Sequence, residues 1–218
     1  MVKNLENFLR IKEPEPKMTE PVKPDVLSED TKRAQRIPPG QFQTIKWPVL
    51  HAGSVPRISL ESWRLELFGL VANRVSLSWE ELQAQPKVRV FADMHCVTRW
   101  SMLDNVWEGV STRHLAGLAG IKADAKYVIA HCSHGFTTNM PLKDFLDDDC
   151  LVAWSRNDQP LEPDHGWPLR LMIPKLYAWK SAKWLLGLEF AASDEPGFWE
   201  QNGYHNHGDP WTEERFWD

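Results

Sequence analysis

The chain has 218 residues, enough to bury a full core in one large domain or two small ones. Its hydrophobic content of 42% and charged content of 25% are ordinary for a folded globular protein. A net charge of -5 argues against a nucleic-acid partner, which calls for a basic face. No run reaches the ~18 apolar residues that span a bilayer, so no membrane insertion is expected. The three cysteines, Cys96, Cys132 and Cys150, are too few and odd in number for a complete disulfide framework and suit a reducing compartment. The first residues show no apolar signal core and no twin arginine, and the expected location is cytoplasmic.

Residues 1–37 are rich in Lys, Glu and Pro, as in Lys12-Glu13-Pro14-Glu15-Pro16-Lys17, and read as an extended or disordered arm. Pro38-Pro39-Gly40 is a turn signal that opens a folded domain over 38–192. Thr44–Leu50 is an extended apolar segment with one lysine. Trp63–Leu67 alternates with period two and reads as a half-buried strand. Ser78 and Glu81 form a capping-box pattern ahead of a short helix that stops before Pro86. Lys87–Ala92 alternates again and delivers the chain to Asp93-Met94-His95-Cys96-Val97-Thr98-Arg99-Trp100-Ser101, where alternation ceases without a Gly or Pro. Thr112–Gly120 reads as a helix with a Gly stop, Tyr127–Ala130 as a buried strand, Pro141–Leu146 as a helix with Pro near its start, and Leu151–Trp154 as a strand before a hairpin at Arg156–Gln159. Leu185–Phe190 reads as a last strand. The remaining 193–218 form an aromatic and polar tail that packs on the domain. Strands and short helices alternate without regular βαβ spacing, so the class is α+β with mixed sheets and short helices. The absence of a Gly-x-Gly-x-x-Gly after a strand argues against a nicotinamide fold.

Three segments carry candidate chemistry. A cysteine at the end of a strand is either a small core residue or a soft thiolate ligand. Arg170, Lys180 and Lys183 surround the small residues Ser181 and Ala182, a pattern that lets an anion approach backbone N–H groups under nearby positive charge. The alternative for these cations is a solvated face. His131, Cys132 and His134 are close enough for a zinc site but lack the usual ligand spacing. His95 and the pair His205 and His207 have site roles and packing roles open to them, and Asp93 has the chemistry of an acid or base or of a loop cap.

His165-Gly166-Trp167-Pro168-Leu169-Arg170 followed by Lys180-Ser181-Ala182-Lys183-Trp184-Leu185, with a cysteine upstream, resembles the molybdopterin-binding domain of the sulfite oxidase family. Cys96-Val97-Thr98-Arg99-Trp100-Ser101-Met102 is similar to the methionine-sulfoxide reductase catalytic subunits, and Pro38–Gln41 with Trp47–Leu50 to the stand-alone bacterial and archaeal branch. The resemblance covers about residues 38–190. It implies a molybdenum cofactor (molybdopterin), with Cys96 as the thiolate ligand of the metal. It also implies cofactor contacts from Thr44, Ile45, Lys46, Cys132, His165, Arg170, Ser181, Ala182 and Lys183. Thr44 stands where sulfite oxidases carry a substrate-site arginine, and Phe136 where they carry a tyrosine. A dianion such as sulfite calls for fixed cations, so the resemblance points instead to oxygen-atom transfer with a small S-oxide or N-oxide and a separate electron-transfer partner. A non-catalytic molybdopterin carrier is the alternative, and a zinc hydrolase on His131, Cys132 and His134 a third.

Overall fold

The computed structural model describes residues 23–217. The part of the expected N-terminal arm in residues 1–22 lies outside the described residues. In chain order the strands are β1 (Val26–Leu27), β2 (Phe42–Gln43), β3 (Leu65–Gly69), β4 (Val75–Leu77), β5 (Lys87–His95), β6 (Trp100–Ser111), β7 (Tyr127–Cys132), β8 (Thr137–Pro141), β9 (Leu151–Arg156), β10 (Gln159–Pro160), β11 (Arg170–Met172) and β12 (Leu185–Ala191). The helices are short: α1 (Trp79–Gln83), α2 (Thr112–Ala119), α3 (Leu142–Phe145) and α4 (Phe198–Gln201).

The strands form two mixed sheets. One runs β1-β5-β6-β9-β10, with β2 added on β6 and β11 on β9; the other runs β4-β3-β12-β7-β8. Parallel pairs (β1 with β5, β2 with β6, β12 with β3) sit beside antiparallel ones, which makes the α+β class mixed in both sheets. The local signals act as their chemistry dictates. Ser78 Oγ accepts from the Glu81 backbone N–H at 3.2 Å while Glu81 Oε2 accepts from Ser78 N at 2.8 Å, closing the capping box of α1. Gly120 ends α2 at φ 64°, in the left-handed region where a side chain is disfavoured.

β5 and β6 form the long hairpin that carries Cys96. β5 alternates only at its start. From Ala92 to His95 every residue is buried, because the chain there is covered on both faces. A register shift between Ala92 and Met94 places Asp93 at a bulge. Its carboxylate accepts from Arg36 Nε at 2.9 Å, from Arg36 Nη2 at 2.5 Å and from the Asp104 backbone N–H at 3.0 Å. Asp93 is therefore a fully engaged loop cap. The core is in two clusters. One draws on both sheets and α2 and includes Leu67, Leu115, Val128, Val152, Leu171 and Leu188; the other lies along β5 and β6 and includes Met94, Met102, Trp107 and Tyr177.

Candidate active site

Cys96 opens the four-residue turn between β5 and β6. Cys96 N donates to Trp100 O at 2.9 Å and Arg99 N to Cys96 O at 2.9 Å, with Arg99 at φ 75°. Two distant residues fix this turn from outside: Gln41 Nε2 donates to Cys96 O at 3.1 Å, and Arg215 Nη1 to Val97 O at 2.8 Å. The thiol itself accepts from Thr98 Oγ1 at 3.1 Å. Burial pushes the Cys96 thiol up and the Thr98 hydrogen bond opposes it, so without a metal the group holds its proton. A soft metal displaces that proton on binding. The neighbouring His95 is fully buried. Its Nδ1 meets Ser101 Oγ at 2.8 Å, and its carbonyl accepts from Ala178 N at 2.7 Å, which joins the Cys96 hairpin to the 177–184 segment.

Arg170, at the start of β11, is 2% exposed. Its Nη1 donates to His165 O at 3.0 Å and its Nη2 to Ser181 O at 2.7 Å, so one guanidinium pins both halves of the motif. Burial first, and Arg156 second, lower its pKa to about 9. Gly166 lies at φ 110°, and a Cβ there would meet the Cβ atoms of Arg170 and Lys183 at 3.1 Å, so glycine is what allows these two cations to approach. Lys183 Nζ donates to Asp164 O at 2.6 Å, and burial together with Arg170 lowers its pKa to about 7. Ser181 Oγ accepts from Ile173 N at 2.9 Å. His165 lies flat on the indole of Trp47, and burial with the nearby cations Lys183 and Arg170 lowers its pKa to about 4, so its ring is neutral at pH 7.

Cys96, Arg170, Ser181, Ala182 and Lys183 line one cavity of about 360 Å³ at the seam between the two core clusters. His165 backs the wall through Trp47. Cys132 is buried and does not reach the cavity; the Ser133–Phe136 turn after it does. Thr44, Ile45 and Lys46 turn away. Thr44 Oγ1 closes a local loop with the Lys46 backbone, and Ile45 is 93% exposed. The next residues, Trp47 and Pro48, turn inward and supply the wall that the preceding three do not. Lys180 also departs from the cationic cluster in which the sequence groups it. Its ammonium is buried against Glu200 Oε1 at 2.5 Å, Asn206 O at 2.7 Å and Asn139 O at 2.8 Å.

Sequence reasoning missed the aromatic half of the cavity: Trp47, Trp179, Phe198, Trp199 and Tyr204. The signal was the density of aromatic residues between 198 and 204, in a tail read as packing on the domain without a place assigned to it. The zinc reading fails on geometry. His131 Nε2 is paired with Glu189 Oε2 at 2.8 Å, Cys132 is buried, and among the described residues no three His, Cys, Asp or Glu side chains converge to hold a metal. His205 and His207 are likewise occupied by carboxylates, His207 by Asp144 at 2.9 Å and Glu214 at 2.8 Å, His205 by Glu214 at 3.4 Å.

The donor set fits an anionic, sulfur-bearing metal cofactor. A thiol faces the cavity beside two cations, and two buried polar atoms next to them, Arg170 Nε and His165 Nδ1, have no partner among the described residues. Residues 52–199 match the family model described as the oxidoreductase molybdopterin binding domain. The uncharacterized oxidoreductase YuiH of Bacillus subtilis is 51% identical over 185 residues, covering 84% of this chain and 93% of that protein. A putative protein-methionine-sulfoxide reductase subunit of Azospira oryzae is 30% identical over 69% of this chain and 57% of its own length. The mitochondrial sulfite oxidase of Drosophila melanogaster is 28% identical, and the match covers 31% of that longer protein. In fold, the sulfane dehydrogenase SoxCD of Paracoccus pantotrophus superposes with a TM-score of 0.62 at 20% identity, over 72% of this chain and 46% of that one. The chain therefore belongs to the molybdopterin-binding oxidoreductase family, and it is an enzyme whose cofactor is the molybdenum cofactor.

Proposed function

We propose that this enzyme transfers an oxygen atom to or from a small neutral substrate, of the S-oxide or N-oxide class rather than sulfite, and exchanges electrons with a separate protein. When bound, the molybdenum cofactor supplies two-electron redox chemistry coupled to oxygen transfer. The protein's own residues do the rest. Cys96 provides the thiolate that holds the metal, and Thr98 orients that sulfur. Arg170 and Lys183 supply the positive charge that holds the cofactor's anionic groups. The aromatic wall excludes water, which strengthens every electrostatic contact inside the cavity.

The observation that carries this reading is that one cavity is lined both by a thiol and cations and by a set of aromatic side chains. Both Arg170 amino groups donate to backbone carbonyls, which fixes the guanidinium in place beside the cavity. Three unpaired cysteines are compatible with a reducing compartment, which supports a cytoplasmic setting. The test is a panel of S-oxides, N-oxides and sulfite assayed with artificial electron donors and acceptors on protein from a molybdenum-replete host. Turnover of S-oxides or N-oxides without sulfite oxidation is expected. Sulfite oxidation alone would reverse the substrate assignment, and protein lacking molybdenum and pterin would remove the role given to Cys96.

A further inference from the structure

The segment after β12 returns to the cavity and places three aromatic rings in its wall: Phe198, Trp199 and Tyr204. Tyr204 is held on three sides. It stacks on Trp199 at a centroid distance of 4.9 Å and an interplanar angle of 18°. Trp179 meets it edge-on at 5.1 Å and Phe216 at 5.5 Å. Its backbone N–H donates to Trp199 O at 3.0 Å, and it forms a bridge with Phe216. The ring therefore has one position. Its hydroxyl is different: among the described residues it makes no hydrogen bond.

Several other polar groups of the cavity are engaged by the protein, while Arg170 Nε and Trp100 Nε1, buried in its wall, have no partner among the described residues. Thr98 Oγ1 donates to the Cys96 sulfur, Ser181 Oγ accepts from Ile173 N, Trp179 Nε1 donates to Glu200 Oε1 at 2.8 Å, and Lys183 donates to Asp164 O. Phe136, packed against Phe198 at 5.8 Å, has no hydroxyl to offer. Burial, and the charge on Cys96 when it is a thiolate, both push the Tyr204 phenol above its ordinary value, so it remains a donor at neutral pH.

We propose that Tyr204 is a substrate-binding residue whose phenol O–H donates a hydrogen bond to the S–O or N–O oxygen of a neutral organic oxide, while Phe136, Phe198 and Trp199 enclose the apolar substituents. This rests on the oxygen-transfer reading given above and narrows it to oxides with an apolar, ring-sized group. Reduction of such a sulfoxide takes two electrons from the protein partner and two protons from solvent, and releases the sulfide and one water. Tyr204 keeps its own proton throughout; it binds and positions the S–O oxygen.

The test is Tyr204→Phe, which leaves the three ring contacts and removes one O–H. With methyl phenyl sulfoxide and an artificial donor, KM should rise about tenfold, the worth of one neutral hydrogen bond in a dry site, while kcat changes less. The second readout needs no turnover. With the electron donor withheld, methyl phenyl sulfoxide is titrated into the holoenzyme and followed by quenching of the cavity tryptophans. The apparent dissociation constant should also rise about tenfold in the variant, at unchanged molybdenum content. Equal constants for the two proteins would overturn the role of Tyr204 while leaving the reaction intact. Loss of molybdenum in the variant would overturn it too, by assigning the phenol to the cofactor. Absence of any S-oxide or N-oxide turnover by the wild type would overturn the reaction itself.

Discussion

The indole of Trp47 lies on the imidazole of His165 with ring centroids 3.7 Å apart and planes 7° from parallel. The same indole has Arg156 at 4.7 Å and Arg170 at 5.4 Å from its centre and Trp107 against it edge-on at 5.4 Å. One side chain in an irregular segment thus sets the position of a histidine and two arginines, by stacking and cation–π attraction. Replacing it, Trp47→Ala, should cost about 2–3 kcal/mol of stability, below the ~3–5 kcal/mol of a fully buried tryptophan because this ring is only half-buried. Molybdenum and pterin content should fall with it. Denaturant titration and metal analysis of the same preparation check both parts, and Trp47→Phe should recover most of each.

Cys96→Ala should abolish molybdenum retention and turnover while leaving the fold in place. The removed sulfur is small, and the turn is held by backbone hydrogen bonds and by Gln41 and Arg215, which the substitution spares. A circular-dichroism melt within a few degrees of the wild type, alongside loss of metal, is the expected pair of results. A variant that no longer folds would return Cys96 to the role of a core residue.

Lys180 and Glu200 form an ion pair with both side chains fully buried. Removing one partner leaves an uncompensated charge, so Lys180→Met should destabilise by about 3–5 kcal/mol. Glu200 Oε1 also accepts from Thr138 and Trp179, so the loss should spread to α4 and loosen the segment that carries Tyr204. Limited proteolysis should cut this variant between 193 and 217 first. The double variant Lys180→Met with Glu200→Met should regain part of the lost stability.

His207 bridges Asp144 and Glu214, and these hydrogen bonds, that to Asp144 foremost, outweigh burial and raise its pKa above the ordinary ~6.5. The protonated form is the one the fold favours. The stabilisation is therefore fully present below pH ~6.5 and is lost as pH rises through the higher folded value. Denaturation midpoints measured from pH 6 upward should fall over that window in the wild type, and His207→Gln should flatten the dependence.

The fold was legible where one face of an element meets water. Lys87–Ala92 alternates for that reason, and Ser78 with Glu81 marks α1 by local chemistry alone. β6 gives no such pattern. It is the central strand of its sheet, and Asn105, fully buried within it, is satisfied by donating to Ala92 O and Met102 O and accepting from Arg156. A buried polar residue with one of its partners supplied from 51 residues away looks like loop in a one-dimensional reading.

The site divides the same way. The Cys96 turn and the 165–184 motif were readable because each keeps its chemistry within a few adjacent residues. The direction of a long side chain is not encoded nearby, so Lys180 grouped with Lys183 although their ammonium groups have separate partners, Glu200 for one and Asp164 O for the other. The aromatic wall depends on residues 47 and 198–204 meeting in space, which no local spacing announces.

The contribution of Phe198–Tyr204 to a cavity that begins at Cys96 has a consequence for biosynthesis. The chain is made from its N-terminus at roughly 5–20 residues per second, so the 108 positions separating Cys96 from Tyr204 correspond to about 5–20 s of translation. Throughout that interval the nascent hairpin, with its thiol, exists without the wall that will enclose it. Arg215, which fastens the Cys96 turn through Val97, emerges later still. The pocket is thus completed only once residues 198–215 have been made, and the cofactor meets either an open cleft before the closing segment docks or a closed one that must part to admit it. Pulse-labelled protein released with and without residues 198–217, and then offered molybdopterin, would separate those two orders of assembly.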